Sequence, residues 1–265
     1  MTVTRVAHNT IAHLIGKVIA TLLGVVTIGI MTRYLGQEQF GWYTTAIGFL
    51  QIVGIMIDFG LVLVTGQMLG SAVAGAEKRI IHNILAFRII TAFIAYVAAG
   101  GIIWFFPYNL EIKLAVQTAS FAFFLIAVNQ ILTGIFQKHL QAVWVGIGEA
   151  IQRAALLISV LVVMRWDHGF LAIMIATVTA GIVQTAVLAL RAHRLVPLGF
   201  AFDRAVWGEI FKKSWPIAIS IAFNLIYLRA DILILSLVRT QSEVGLYGAA
   251  YRIMDVTTAV PIIFM

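Results

Sequence analysis

Eight stretches of mostly apolar residues, each close to the length of a membrane crossing, dominate this chain: about 11–32, 42–66, 80–106, 113–136, 143–164, 169–190, 214–238 and 245–265. Some 20 apolar residues in helical form cover the hydrocarbon core of a bilayer. Only helices or closed barrels satisfy their backbone groups there. The connections are short, and none is large enough to fold as an extramembrane domain. With 62% hydrophobic and 11% charged residues, against about 25% charged in soluble domains, water could not solvate the surface. These features predict an all-α, polytopic helix bundle.

The longest connection, 191–213, places Val206, Trp207, Ile210 and Phe211 on one helical face, which predicts a short helix in the membrane surface. Ser214 and Pro216 predict the start of the seventh span. Outside the spans, the N-terminus and even-numbered loops carry nine basic residues: Arg5, Lys78, Arg79, Lys138, Arg191, Arg194, Arg204, Lys212 and Lys213. The other side carries four, Arg33, Lys113, Arg165 and Arg239. The excess predicts a cytoplasmic N-terminus and a multi-pass topology. The net charge of +7 reads as that excess and as affinity for anionic membrane lipids; no basic run with interleaved aromatics suggests nucleic acid. There are no cysteines, and the six histidines show no metal spacing; no phosphate-binding loop motif occurs. No cofactor or metal is expected.

Gln37-x3-Gly41-x-Tyr43-x2-Ala46 repeats as Gln241-x3-Gly245-x-Tyr247-x2-Ala250, at one offset of 204. Both copies fall where an odd-numbered span turns into the next. That placement predicts two parallel repeats, six spans apart. The expected organisation is a six-helix lobe over 1–190, a linker with an interfacial helix over 191–213, and two helices of a second lobe over 214–265. The chain is then expected to be a fragment that lacks about four or more spans.

Five bases (Lys17, Arg88, Arg153, Arg229, Arg252) and four acids (Asp58, Glu149, Asp231, Asp255) lie within spans. Each costs at least ~2.5–3.5 kcal/mol at a helix centre unless it meets water, a partner or the interface. Glu149 and Arg153, four apart, and Arg252 and Asp255, three apart, have the spacing of intrahelical pairs. Lys17 is within snorkelling reach of the interface. Arg88 and Arg229 have no acid three or four residues away, so other helices, water or a ligand must partner them. A polar central cavity serves that need. Spare arginines there would suit phosphate or carboxylate, while unpaired acids would suit a coupling cation or proton.

The motifs Arg33-Tyr-Leu-Gly-Gln-Glu-Gln-Phe-Gly-Trp-Tyr43, Asp58-Phe-Gly-Leu61, Phe211-Lys-Lys-Ser-Trp-Pro216, Tyr227-Leu-Arg-Ala-Asp231 and Val244-Gly-Leu-Tyr-Gly-Ala-Ala-Tyr-Arg252 resemble the Wzx-type polysaccharide flippases. These O-antigen and exopolysaccharide translocases belong to the superfamily of multidrug and toxin extrusion transporters. The resemblance implies two lobes around a cavity that alternates access, and a place in the bacterial inner membrane. It also implies an undecaprenyl-diphosphate-linked oligosaccharide as cargo, moved for lipopolysaccharide or exopolysaccharide assembly. A polysaccharide polymerase and a chain-length regulator are the partners it suggests. Carried over by position, Arg229, Arg88 and Lys17 are its substrate-binding candidates, and Asp58 and Asp231 its ion-coupling candidates. A cation-coupled drug antiporter of the same architecture is the alternative. A membrane polymerase or ligase would be expected to carry a sizeable outer loop, whereas the outer loops here are a few residues long, so no enzyme is expected.

Overall fold

In a computed structural model the described backbone covers residues 3–58, 60–70 and 77–264, with side chains described for 15–54, 60–70, 77–221, 223, 230–252 and 254. The described residues form helices and no strand: α1 (Val3–Asp58), α2 (Leu61–Gly70), α3 (Glu77–Ile102), α4 (Leu110–Lys138), α5 (Val143–Trp166), α6 (Gly169–Leu195), α7 (Arg204–Val238) and α8 (Gln241–Phe264). Five of them are long and apolar enough to cross a membrane: Ile15–Gly54 of α1, Glu77–Phe105, and α4, α5 and α6.

Helix α1 joins what the apolar pattern divides into two spans. The predicted loop between 32 and 42 is a single non-helical residue, Gly36 (φ 65°, ψ −177°). A left-handed φ is open to glycine and strained for most other residues, so one residue suffices to turn the chain. The 40 residues of Ile15–Gly54 would extend about 60 Å, twice the hydrocarbon thickness. They therefore cross twice, as legs 3–35 and 37–58. We call the end holding Gly36 and residues 103–109, 167–168 and 239–240 the far end, and the other the near end. The second leg runs back from the far end, where Phe49 meets Phe106 edge-on at 5.6 Å, towards the near end, where Gly60 touches Ile217. The predicted second span, 42–66, is itself interrupted: Gly60 has φ 66° and α2 starts after it.

The expected surface helix of 206–213 is not separate. It is the beginning of α7, which continues through Pro216. Its start is fixed instead by Asp203, whose side chain accepts from Ala205 N (3.0 Å) and Val206 N (3.4 Å). Arg79 on α3 donates to the same carboxylate through Nε at 2.9 Å, and Asn83 Oδ1 accepts from Asp203 N at 2.7 Å. His82 Nε2 reaches Pro197 O at 2.7 Å, so α3 holds the whole segment 197–203. Hydrogen bonding from Arg79 keeps the Asp203 carboxyl below its ordinary range, against a smaller opposing effect of desolvation. A lowered folded pKa means this attachment is complete above the ordinary carboxylate range and fades as pH falls through the lowered value. Limited proteolysis of 196–203 should thus stay constant from neutral pH into mild acid. In Arg79→Gln, cleavage should set in at a higher pH.

The core is divided along the bundle. Towards the far end, Phe40, Tyr43, Phe49 and Leu50 of α1 pack with Tyr96, Ile112, Val116, Val160 and Ile173. Near the other end Leu69, Ile81, Ile135, Phe136, Val145 and Leu188 form a second cluster. A third joins α2 and α3 to the start of α7 through Val64, Ile84, Ile131, Val206 and Ile210. Large apolar side chains such as Phe93, Ile94, Val97, Ile158 and Leu190 point outward, as lipid-facing positions do.

The two copies of the repeat lie against each other, reciprocally. A Cβ on Gly41 would run into the backbone carbonyl of Gln241, and a Cβ on Gly245 into that of Gln37. Thr45 Oγ1 adds a hydrogen bond to Gln241 Oε1 at 2.9 Å. Residue i on j and j on i is the signature of a two-fold relation. The two glycines let the backbones of α1 and α8 touch at the far end.

Candidate functional site

On the near-end side of that contact the helices part around a cavity of about 930 Å³. Its walls come from the first leg of α1 (Lys17 to Arg33), from α4 (Ile126 to Thr133), from α5 (Glu149, Gln152, Arg153), and from Gln184, Ala249 and Arg252. Among the described residues four bases line it, Lys17, Arg33, Arg153 and Arg252, against one acid, Glu149. Gln152, Gln184, Gln130 and Asn129 supply amides; Thr21, Thr32 and Thr133 supply hydroxyls. Each of these hydroxyls donates to the carbonyl four residues back, at 2.8, 2.8 and 2.9 Å, which leaves lone pairs free to accept.

The expected pair between Glu149 and Arg153 does not form: no ion pair joins them among the described residues. Arg153 instead extends across to α1, where its Cδ, Nε and Cζ lie 3.7 Å from the place a Cβ on Gly24 would take. The missing side chain leaves room for the guanidinium, and both charges face the cavity. Arg252 likewise turns to the cavity, with its guanidinium 5.8 Å from the Tyr43 ring centre; its expected partner Asp255 lies outside the described residues. Arg33, counted from the sequence among the loop residues, is a cavity residue because α1 stays helical up to Gly36.

Of the candidates named from the sequence, Lys17 lines the cavity. The side chains of Arg229 and Asp58 lie outside the described residues. Arg88 is 2% exposed and stands behind the wall, donating from Nε to Ala127 O at 3.1 Å and from its terminal nitrogen to Gln130 Oε1. Asp231 sits towards the far end, accepting from Tyr247 Oη at 2.6 Å and from Ile232 N at 2.8 Å. The structure thus gathers Lys17 with Arg33, Arg153 and Arg252, and separates them from Arg88 and Asp231. Among the described residues, no three metal-ligating side chains cluster.

A second hollow of about 450 Å³ opens between α3 and α4, lined by Phe93, Tyr96, Val97, Gly100, Trp104 and Phe124 among others. Its described lining is mostly apolar and carries no charge, so those residues offer no comparable chemistry.

The model of the family described as "Polysaccharide biosynthesis protein" matches residues 6–264. No curated protein matches the chain. Among solved structures, the outward-facing conformation of a multidrug resistance MATE family transporter of the MOP superfamily is similar at TM-score 0.65 and 16% identity, over 95% of this chain and 60% of that one. The MATE multidrug transporter DinF-BH is similar at TM-score 0.71 and 14% identity, over 97% of this chain and 61% of that one. A MOP superfamily transporter from Pyrococcus furiosus, described as having a binding pocket of reversed polarity, is similar at TM-score 0.69 and 14% identity, over 95% of this chain and 60% of that one. The chain therefore spans about 60% of the length of these structures and shares their fold over nearly all of its own. From the match over 6–264, the chain belongs to the polysaccharide biosynthesis protein family.

Proposed function

We propose that the chain forms the cargo-binding cavity of a flippase that moves an undecaprenyl-diphosphate-linked oligosaccharide from the cytoplasmic to the periplasmic leaflet of the bacterial inner membrane. The observation that carries this reading is the charge of the cavity's described lining, four bases facing one acid. An excess of cations in a membrane interior is expensive. An anion that enters lowers that cost, whereas a cation raises it. Three of the four bases are arginines, whose planar fork matches phosphate oxygens bidentately. Threonine lone pairs and side-chain amides suit sugar hydroxyls, which both donate and accept. No bond is made or broken in such a passage, so on this reading the protein is a transporter and not an enzyme. The basic excess on the N-terminal side supports a cytoplasmic N-terminus.

The likeness to MATE transporters favours a second reading, a cation-coupled antiporter for drugs or other small molecules. A cationic cargo would be expected to meet a mainly acidic cavity. In cells that export their polysaccharide through this protein, its loss should leave lipid-linked oligosaccharide on the cytoplasmic leaflet, and the intact gene should clear it. Clearance unaffected by the loss, together with gained sensitivity to lipophilic cations, would favour the antiporter.

A further inference from the structure

Behind the cavity wall, the buried Arg88 holds one amide of the lining in a fixed orientation. Its guanidinium donates to Ala127 O and to Gln130 Oε1, both on α4. Arginine has donors only, so the Gln130 oxygen must be the atom turned to it. The Gln130 nitrogen is then turned away from Arg88. Gln130 lines the cavity, and its Nε2 has no acceptor among the described residues. The neighbouring amides behave differently. Asn129 Nδ2 donates to Gln184 Oε1 at 3.2 Å, and Asn129 Oδ1 is buried without a partner. Rotating both amides exchanges donor for acceptor and keeps one bond, so that pair can present either group. Gln130 cannot rotate without setting two donors against each other.

We propose that Gln130 is an anion-binding donor of the cavity and that Arg88 is its positioning residue, acting on the cargo through Gln130 and not by contact. This deepens the reading of the cavity as a diphosphate site and rests on it. Arg88 has a further consequence for Gln130: by drawing on the amide oxygen it polarises the N–H groups facing the cavity, as linked hydrogen bonds do.

The test uses the full-length protein in nanodiscs, with geranylgeranyl diphosphate as probe and geranylgeraniol as the uncharged control. Gln130→Met keeps the length of the side chain and removes the donor without adding charge. It should weaken diphosphate binding about tenfold, the worth of one hydrogen bond to a charged group, and leave the alcohol unchanged. Arg88→Lys should weaken diphosphate binding in the native background and add nothing in Gln130→Met, because the two act in series. Thermal melting of each variant separates this from loss of the fold. If Arg88→Lys lowers binding equally in both backgrounds, its role is structural and the assignment fails. Undiminished diphosphate binding by Gln130→Met, while Arg153→Ala loses it, would also overturn the assignment and leave the cavity reading standing. If the native protein binds neither probe, or both alike, the cavity reading itself falls.

Discussion

Arg153→Glu should stop polysaccharide export while the protein stays in the membrane at its normal level. Arg153 reaches from α5 over Gly24 into the cavity and has no ion pair with Glu149. A unit charge about 5 Å from a phosphate, at an effective dielectric constant near 20, is worth about 3 kcal/mol. Reversal replaces that attraction with an equal repulsion, so the swing is about 6 kcal/mol, and an affinity loss above about a thousandfold is expected even with partial water screening. It also sets a second acid beside Glu149. Arg153→Lys keeps the charge and loses the fork, so partial export is the expected outcome. Export assays with quantified membrane levels check both. Full export by Arg153→Glu would remove this residue from the site.

Gly245→Leu and Gly41→Leu should have large and matched effects of a different kind. Each would drive a side chain into a backbone carbonyl of the opposite repeat, Gln37 for one and Gln241 for the other. A backbone group cannot step aside as a flexible side chain can, so α1 and α8 must separate. Gly248 adds to this seam, since a Cβ there would meet Thr44. Arg33 and Ala249 border the cavity just inside the contact, so separation would open the cavity to the far side. These 265 residues hold no cysteine, so a thiol introduced among them is the only one they present. A single cysteine at Thr32 should react with a membrane-impermeant thiol reagent from the far side much faster in either leucine variant than in the native background. Similar rates in all three would mean that the glycine contact does not close that end.

How much of this is legible in the sequence depends on which physical signal each feature leaves. The spans are readable because about 20 apolar residues leave no other option in lipid. The connection between the first two spans is readable as the polar run Arg33 to Gln39, but its reduction to a single residue, Gly36, is not, because the helix continues on either side of it. Sequence reasoning puts the start of α7 at Ser214 because Pro216 reads as a first-turn residue, whereas the Asp203 cap with Arg79 behind it depends on a contact 124 residues away. The repeat is visible as spacing, and its reciprocal contact is the reason for the two glycines.

The need for a cavity is legible in the buried charges, and its residues only partly so. Lys17 lines the cavity, but its place in the first span reads as snorkelling, and only the family resemblance points to a cavity. Arg153 and Arg252 are hidden by the acids that stand at helical spacing from them. Spacing says which partners are reachable, but Arg153 turns instead towards the space that Gly24 leaves on another helix. Arg88 reads as a cavity arginine because no acid is near it in sequence; two of its acceptors, Ala127 O and Gln130 Oε1, come from α4. Asp231 finds Tyr247 on α8. In a membrane bundle the inward and outward faces of a helix are both apolar, so the amphipathic signal that marks the buried face of a soluble helix is weak.

The sign of the charge that the cavity accepts separates a diphosphate carrier from a cation antiporter. Equilibrium binding of a polyprenyl diphosphate and of a lipophilic cationic dye to the same protein in nanodiscs, at several salt concentrations, reads that sign directly. The diphosphate should bind, more weakly as salt rises, and the dye should neither bind in the cavity nor displace it. Saturable binding of the dye, displaced by other cations and indifferent to the diphosphate, would contradict the account.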